Sequence, residues 1–435
     1  MKVIHSTRSY CCDCHCYHDA LYYIDSGCVF FKMLCDTPRT TLISRHPEIY
    51  MHLWNKSYFT TKNVQTIPVS NRIEITNACN FTCNLCYAGA SPNKNSFISL
   101  EKIARISEYL RREKRTDIGL TGGEPTLHPE LLKIVSIFKK AGHIISLYSN
   151  GYLIAKEPIL AGKLKEQGVY KCFLQFDTLN PQTHQLLRNN FFVKEKLQAL
   201  QNLTKAKIKV SPICVMVKEN AHEVKELLDQ VRTLGPYFGE LIFLTAIQDT
   251  GRFTLEKGSP LLRDDIIVSI IKHSGIPGIG IEHFWPFPKF LPLEVNLHPD
   301  CATIVYLLIR NGSIELLDSY INIKRLYSLC SKMKKNTSYR VAYLKVLFLL
   351  LLCIKWTKCI TVAKIVYSYI TKKGGCFINY IVVESFMTRY CQDAERLHSC
   401  TSHHVLDENI SVSACVFNQD GDIGLQCNRF KNPQI

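Results

Sequence analysis

The 435-residue sequence lacks an apolar run long enough to cross a membrane, and it lacks an apolar leader at its start. The longest apolar run, residues 346–354, has nine residues, whereas a transmembrane helix needs about 20. The opening residues, MKVIHSTRSYCCDCHCYH, contain no apolar core of the kind that secretory signals carry. We therefore expect a cytoplasmic protein in a reducing compartment, where disulfides are disfavoured.

Low-complexity tracts and internal repeats of 20–50 residues are also missing. With 46% hydrophobic and 21% charged residues, the composition excludes a disordered or collagenous chain. The net charge of +16 suits an anionic partner such as a membrane surface, a nucleic acid or a phosphorylated substrate. Because no nucleic-acid recognition module is visible, we expect no nucleic-acid partner.

The basic apolar stretch from residue 346 to Tyr369 contains Lys355, Lys358 and Lys364. Two interpretations stay open for it. It is either a buried core helix or a basic amphipathic helix that lies at the inner face of a membrane.

Cysteine is abundant, with 20 residues, and in a reducing compartment these are candidates for iron, zinc or iron–sulfur ligation. Their distribution predicts three regions. Residues 1–66 form a small Cys-rich, metal-binding module, residues 67–275 form a core, and residues 276–435 form a second Cys-containing region.

The core alternates short apolar runs with amphipathic stretches, which predicts a βα repeat and an α/β fold. Six strands are predicted at residues 72–76, 117–120, 144–149, 169–177, 208–217 and 240–247. We expect a parallel sheet that is either open or partly closed into a (β/α)6 barrel, with ligands at the carboxyl ends of its strands.

Three thiols follow the first predicted strand at Cys79, Cys83 and Cys86, in the spacing C-x₃-C-x₂-C, and Tyr87 comes next. Three thiolates can hold three corners of a [4Fe-4S] cluster and leave one iron open for a ligand. A structural zinc knuckle and plain core cysteines are the alternatives.

Polar groups follow the next three predicted strands. The second strand leads into Gly122, Gly123, Glu124 and Pro125, where glycine permits close approach of backbone and Glu124 offers an acceptor for an ammonium group. The third ends at Ser149 and Asn150, which suit a ribose, and the fourth at Gln175 and Asp177.

This arrangement resembles the radical S-adenosylmethionine (SAM) superfamily over roughly residues 68–250. The resemblance implies that Cys79, Cys83 and Cys86 ligate a [4Fe-4S] cluster that binds SAM, that Tyr87 lies beside the adenine and that residues 122–125 bind the methionine ammonium. It also implies that Ser149 and Asn150 reach the ribose, and that Gln175, Asp177 and Arg188 belong to the same site. A ferredoxin- or flavodoxin-type reductase would supply the electron that cleaves SAM, and the resulting radical would abstract hydrogen from an unactivated C–H bond.

The flanking motifs look like those of the archaeal tetraether lipid synthases and their radical SAM relatives. They include Cys11-x₂-Cys14 with Cys35, then Gly251-Arg252, Pro299-Asp300-Cys301 and Cys415-Val416-Phe417-Asn418. The resemblance implies a metal, iron or zinc, in the N-terminal module. It further implies auxiliary iron–sulfur ligation by Cys301, Cys391, Cys400 and Cys415, and carbon–carbon coupling of membrane lipid chains.

Two departures from these relatives concern the metals. Cys35 is not followed by the usual Cys-x₂-His-Gly ending, so the fourth N-terminal ligand could be Cys12, Cys16, His18 or Cys28. Cys376 and Cys427 are further candidates for auxiliary ligation.

The sequence predicts an enzyme that acts on an apolar, lipid substrate. Radical methylation of a pterin-like small molecule is an alternative, which the single C-x₃-C-x₂-C motif disfavours. Peptide maturation is another, and the absence of a Cys-x₂-Cys-x₅-Cys-x₃-Cys run argues against it. A non-enzymatic iron–sulfur electron-transfer or lipid-binding protein is the alternative from a different class.

Overall fold

The computed structural model describes residues 1–36, 38–57, 68–247, 251–252, 260–286, 297–331, 348–371 and 376–418. Cys427 and the domain boundary predicted at residue 66 lie outside these ranges. Within them, no helix is both long enough and apolar enough to cross a bilayer.

The N-terminal region is a four-stranded antiparallel sheet followed by one helix. Its elements are β1 (Lys2–Tyr10), β2 (Tyr17–Asp25), β3 (Cys28–Met33), β4 (Arg39–Ser44) and α1 (Pro47–Lys56). Burial alternates along β3, so that Val29, Phe31 and Met33 face the core of this region, as the period of a strand requires.

The core confirms the predicted βα repeat, with all six strands within a few residues of their expected positions. Its elements are β5 (Ser70–Thr76), α2 (Leu100–Arg112), β6 (Asp117–Gly122), α3 (Leu131–Lys140), β7 (Ile144–Ser149), α4 (Tyr152–Lys156), α5 (Pro158–Gln167), β8 (Val169–Gln175), α6 (Pro181–Arg188), α7 (Val193–Lys205), β9 (Lys209–Met216), α8 (Val224–Val231), β10 (Leu241–Thr245) and α9 (Arg263–His273). Ser99 caps α2, because its hydroxyl accepts a hydrogen bond from the amide of Lys102 at 3.3 Å.

The C-terminal region extends the central sheet at both edges. Its elements are β11 (Trp285–Pro286), β12 (Ala302–Arg310), β13 (Ser313–Leu316), α10 (Ile323–Ser331), α11 (Cys359–Thr371), β14 (Cys376–Glu384), α12 (Ala394–His398), β15 (Ser402–Asp407), β16 (Ile410–Ser413) and α13 (Ala414–Phe417). The main path of the sheet is β11-β12-β14-β10-β9-β8-β7-β6-β5-β15-β16, and β13 pairs with β12.

Eight consecutive strands of this path are parallel: β15, then β5 to β10, and then β14. β14 and β15 therefore add two parallel strands to the predicted six, although both lie in the region where the sequence loses its βα rhythm. In the part of the chain that the structure describes, β5 and β14 are not paired with each other, so the hydrogen-bonded path stays open. The carboxyl ends of the parallel strands meet at one edge of the sheet.

The N-terminal sheet is joined to the C-terminal region by buried carboxylates. Asp393 accepts hydrogen bonds from the hydroxyl of Thr7 at 3.0 Å and from that of Tyr22 at 2.8 Å. In the same way, Asp300 accepts one from the hydroxyl of Tyr50 at 3.0 Å. Asp393 is fully buried, and these bonds offset the cost of burying its charge.

The basic apolar stretch is described from Phe348 onward. Cys353, Val362 and Ile365 are buried in a core cluster with residues of β12 and α10, whereas Trp356 and Ile360 are exposed. The buried-helix interpretation therefore holds for one face only.

Candidate functional site

The three predicted cluster thiols lie on the loop that follows β5. Cys79 and Cys83 are about nine-tenths buried and Cys86 is half-buried, and all three thiols are free. Burial raises the pKa of Cys79 to about 12, and the nearby charges of Glu124, Cys83 and Cys86 add to the rise. The three thiols are therefore close enough to interact electrostatically.

Gly251 and Arg252, which lie far from this loop in the sequence, contact it in the structure. The Arg252 side chain donates to the carbonyl oxygens of Cys83 at 2.9 Å and of Ala90 at 2.7 Å. Its backbone amide donates to the carbonyl of Cys86 at 3.0 Å. A side chain at Gly251, where φ is +58°, would collide with that same carbonyl, so glycine is required here.

The Gly-Gly-Glu-Pro turn after β6 contacts the start of the cysteine loop. The amides of Gly123 and Glu124 donate to the carbonyls of Thr76 and Ala78, each at 2.7 Å. A Cβ at Gly123 would collide with the Ala78 carbonyl, which explains the need for glycine at this position.

Glu124 was predicted as an acceptor for an ammonium group. In the structure its carboxylate accepts hydrogen bonds from groups of the protein. The side chain is fully buried. One oxygen accepts from the amide and hydroxyl of Thr126 and from the hydroxyl of Ser149 at 2.8 Å. The other accepts from the amide of Asn150 at 2.7 Å. Glu124 therefore ties the end of β6 to the end of β7.

Ser149 and Asn150 lie beside the cysteine loop, as predicted. The Asn150 amide group donates to the Asn80 side chain at 2.8 Å, which links the end of β7 to a residue between the cluster thiols. The Ser149 hydroxyl is engaged by Glu124 and by the amide of Gly151. These bonds hold both polar groups at the carboxyl edge of the sheet.

Asp177 and Arg188 form a buried pair next to these groups. Arg188 donates to both carboxylate oxygens of Asp177 at 2.7 Å, and Asp177 also accepts from Gln175 at 2.5 Å and from the amide of Val215 at 2.9 Å. Although burial opposes ionisation of Asp177, Arg188 and these hydrogen bonds lower its pKa to about 2. All three predicted residues are therefore together in one network.

Lys196 belongs to the same network and was missed in the sequence. Its ammonium group donates to the Asn150 carbonyl and to the Gln175 side chain. The side chain is buried, and burial lowers its pKa to about 8. A signal existed, because Lys196 interrupts the apolar stripe of α7 that Val193, Ala199 and Leu203 form.

Tyr87 follows the last cluster cysteine and interacts with Thr121 at the end of β6. Burial raises the pKa of its hydroxyl, and the carboxyl group of Glu74 on β5 adds to the rise. The aromatic ring therefore lies over the same strand ends as the other predicted residues. Its position beside an adenine stays a prediction.

Three of the predicted auxiliary thiols are also brought together. Burial raises the pKa of Cys400 to about 12, and the nearby charges of Cys415 and Cys301 add to the rise. Arg396 donates to the Cys301 sulfur at 3.3 Å. The predicted fourth thiol, Cys391, lies instead in the apolar core of the N-terminal region, among Cys11, Tyr22 and Phe31. The alternative ligand Cys376 is buried in a different core cluster.

In the N-terminal region the Cys11 thiol interacts with those of Cys14 and Cys35. The Cys14 sulfur is 3.0 Å from Nε2 of His18, one of the candidates for a fourth ligand. Even so, no three His, Cys, Asp or Glu side chains of the described residues are arranged as ligands of a single metal ion. An N-terminal metal therefore stays a prediction.

The loop of Cys79, Cys83 and Cys86 fits a [4Fe-4S] cluster better than a single ion. Thiolates that ligate a cluster bind different irons, so they need not share one coordination sphere. The donor set is three free thiols on one ordered loop, next to a polar strand edge. These three cysteines would hold the cluster, and the edge from Gly122 to Asn150 would contact its cofactor.

Comparison with known proteins agrees with this arrangement. Residues 73–231, from β5 to the end of α8, match the model of the radical SAM superfamily. The 7,8-dihydro-6-hydroxymethylpterin dimethyltransferase of Methanocaldococcus jannaschii is 23% identical over 400 residues, which cover 82% of this chain and 78% of that protein.

Two further similarities cover less. A probable GTP 3′,8-cyclase of Sulfolobus acidocaldarius is 35% identical over 111 residues, 25% of this chain and 34% of that protein. The crystal structure of Streptococcus suis SuiB bound to S-adenosylmethionine superimposes with a TM-score of 0.42 at 13% identity, over 52% of this chain and 50% of that one. The chain thus spans a third of one relative and half of the other. Residues 73–231, which include the three-cysteine loop, thus match the model of the radical SAM superfamily.

Proposed function

We propose that this protein reductively cleaves SAM at a [4Fe-4S] cluster and abstracts hydrogen from an unactivated C–H bond of a membrane lipid chain, in a reaction that couples carbon to carbon. When bound, the cluster and SAM supply the reductive cleavage and the hydrogen-abstracting radical. The chain's own residues hold the cluster, orient SAM and exclude water.

The orienting groups are those of the strand edge. Glu124 fixes Ser149 and Asn150, and Lys196 fixes the Asn150 carbonyl and Gln175. Because Glu124, Ser149, Asn150 and Lys196 are all buried, the edge is ordered before a ligand arrives, which lowers the entropic cost of binding.

The observation that carries the lipid substrate is a cleft at the carboxyl ends of β10 and β14. Apolar side chains contribute much of its lining, including Leu42, Ile43, Leu261, Phe386 and Met387. Since β5, β10 and β14 are parallel, this cleft and the cysteine loop lie at the same edge of the sheet. Such a cleft suits an alkyl chain.

Arg396 connects the cleft to the auxiliary thiols, because it lines the cleft and donates to Cys301. We propose that Cys301, Cys400 and Cys415 hold an auxiliary iron–sulfur cluster there. Cys391 also lines the cleft and is a candidate for contact with the substrate, and its ligation of the auxiliary cluster stays a prediction.

Methylation of a pterin-like molecule is the second candidate. It is favoured by the similarity to the pterin dimethyltransferase, which extends over 82% of this chain and so includes its flanks. The polar residues of the cleft, Arg263 and Asp300, suit a heterocycle with hydrogen-bonding groups.

The test is anaerobic reconstitution with iron and sulfide, followed by dithionite and SAM, with 5′-deoxyadenosine measured by mass spectrometry. We expect its formation to be stimulated by membrane lipid extract, and deuterium to move from labelled chains into deoxyadenosine. Stimulation by a reduced pterin, with transfer of a labelled methyl group, would favour the second candidate. Stimulation by a peptide would favour a maturase.

A triple variant with Cys79, Cys83 and Cys86 each changed to alanine should lose deoxyadenosine formation and the matching iron. The control is Cys359→Ala, since this thiol is exposed and lies outside the site. If the reconstituted wild-type protein forms no deoxyadenosine under any condition, the chain is not a SAM-cleaving enzyme, and an electron-transfer or lipid-binding role would replace the proposal.

A further inference from the structure

Several large apolar side chains of the C-terminal region are exposed, far in sequence from the cysteine loop. We define the apolar–basic surface by the exposed side chains of Phe348, Leu351, Leu352, Trp356, Ile360, Val366 and Tyr367. Trp356 is 89% exposed and Ile360 is 77% exposed, which is far more than a folded protein normally allows for side chains of this size. Patches of this kind mark sites of interaction.

The backbone beneath this surface is firmly held. The Asn322 amide donates to the Cys353 carbonyl at 2.8 Å, and the Lys355 amide donates to the Tyr320 carbonyl at 2.9 Å. The inner face buries Val362 and Ile365 of α11. The segment therefore packs on the core through one face while its opposite, exposed face is also apolar. The exposed apolar side chains are thus not needed for packing of this segment.

Charge identifies the kind of partner. Lys355, Lys358 and Lys364 are exposed among the apolar side chains. Residues 319–383 contain twelve lysines and arginines and no aspartate or glutamate. Most of the net charge of +16 is thus concentrated in this one segment. A second copy of the chain would bring two such segments face to face, and their repulsion disfavours a homodimer through this surface.

We propose that the apolar–basic surface docks on an anionic lipid bilayer, with its apolar side chains in the interfacial region and its lysines at the headgroups. An amphipathic segment of this kind buries about 5–10 Å deep and does not span the bilayer. Tryptophan prefers the headgroup level, where its ring is partly apolar and its N–H is hydrated, and Trp356 has the most exposed side chain of the apolar–basic surface. Each lysine near an anionic surface adds to the attraction.

The test is flotation of the purified full-length protein with vesicles of phosphatidylcholine alone or of phosphatidylcholine with phosphatidylglycerol. We expect binding to the anionic vesicles that weakens as salt is raised, since counterions screen the lysines. The variant Trp356→Asp/Ile360→Asp should bind about tenfold more weakly. Lys355→Glu/Lys358→Glu should lose binding to anionic vesicles to a similar degree, about tenfold or more.

Matched controls exist on the core. Ile159→Asp/Phe191→Asp changes two side chains that are 68% and 62% exposed, and Lys163→Glu/Lys194→Glu makes the same change in charge at exposed positions. Both should bind as the wild type does. Equal binding by all variants, or no binding to anionic vesicles, would overturn the proposal. So would a dimer in sedimentation that Trp356→Asp/Ile360→Asp converts to monomer.

This assay needs neither SAM nor reductant. Its failure therefore leaves SAM cleavage untouched, and failure of SAM cleavage leaves the docking result untouched.

Discussion

Arg188 donates to both carboxylate oxygens of Asp177 at 2.7 Å, and the two side chains are buried together at the carboxyl edge of the sheet. The pair joins the end of β8 to the end of α6, two elements that follow one another in the chain. Because Asp177 also accepts from Gln175 and from the Val215 amide, its negative charge is shared among three elements. Removing that charge should therefore disturb more than one contact.

Asp177→Asn should destabilise the protein by about 3–5 kcal/mol, since it leaves the Arg188 charge buried without a counterion. The wild-type pair should lose its contribution as pH falls from the unfolded value, about 3.9, toward about 2, because the folded-state pKa of Asp177 is lowered to about 2. Urea unfolding measures both effects. The control is Glu108→Gln, which breaks a solvent-exposed pair with Arg111 and should therefore have little effect on stability. Equal costs for the two variants would contradict the prediction.

Glu124→Gln should weaken SAM binding about tenfold or more while leaving the iron content unchanged. An amide has one acceptor oxygen, so it cannot accept from Thr126, Ser149 and the Asn150 amide together, and each hydrogen bond to a charged group contributes about 1.5–3 kcal/mol. Equilibrium dialysis of SAM against the reconstituted protein measures the change. Glu130→Gln, at an exposed pair with Lys133, is the control. Unchanged SAM affinity in Glu124→Gln would show that this edge does not bind SAM.

The contact between His5 on β1 and Glu395 on α12 should depend on pH. Their side chains lie 2.8 Å apart, and Glu395 raises the pKa of His5 although burial opposes the shift. A histidine whose pKa is raised on folding stabilises the folded protein at pH values below its unfolded-state pKa of about 6.5. This stabilisation is lost as the pH rises through the folded-state pKa. We expect a gain of about 1 kcal/mol at acidic pH, discounted because both groups are partly exposed.

His5→Gln should remove this dependence. Thermal unfolding of wild type and variant at about pH 6 and about pH 8 measures it, and the two proteins should differ more at the lower pH. His46→Gln is not a suitable control, since His46 also faces a carboxylate, so His273→Gln at the end of α9 is used. A difference that is independent of pH would refute the prediction.

Lys196→Met should flatten the rise in stability at alkaline pH. The folded-state pKa of Lys196 is lowered to about 8 by burial, so between that value and the unfolded value near 10.4 the unfolded chain binds more protons. Folding stability therefore increases with pH in this window in the wild type. Thermal unfolding across the window measures the slope, and Lys194→Met, an exposed neighbour on α7, should keep the wild-type slope. The same slope in Lys196→Met as in wild type would contradict the assignment.

The βα repeat and the grouping of the motif residues at one sheet edge were predictable because both depend on local sequence patterns. Apolar periodicity and turn residues located all six strands, and motif residues placed directly after strands had to meet at one edge. The role of Glu124 was not predictable in this way. A carboxylate in a glycine turn suits an ammonium ligand and a structural tie equally well. The structure shows the tie, through Ser149 and Asn150, and the ammonium contact stays a prediction.

The features that could not be predicted from the sequence depend on long-range packing. β14 joins the parallel sheet beside β10 after 130 intervening residues, and nothing local to its sequence specifies that neighbour. Cys391 and Cys400 look alike in the sequence, since both are isolated cysteines near charged residues. In the structure Cys391 lies in the apolar core of the N-terminal region, whereas Cys400 lies near Cys415. This difference depends on how the C-terminal region packs against the N-terminal sheet.

The bonds from Thr7 and Tyr22 to Asp393 also constrain the order of events during synthesis. The residues they join are separated by 386 and 371 positions in the chain. When the N-terminal sheet leaves the ribosome, its acceptor carboxylate has not been translated, so these two hydroxyls face water until Asp393 emerges. The N-terminal sheet is therefore completed only after more than 350 further residues are made, and a chain truncated before Asp393 would present an unfinished surface to the cellular machinery that recognises incomplete proteins.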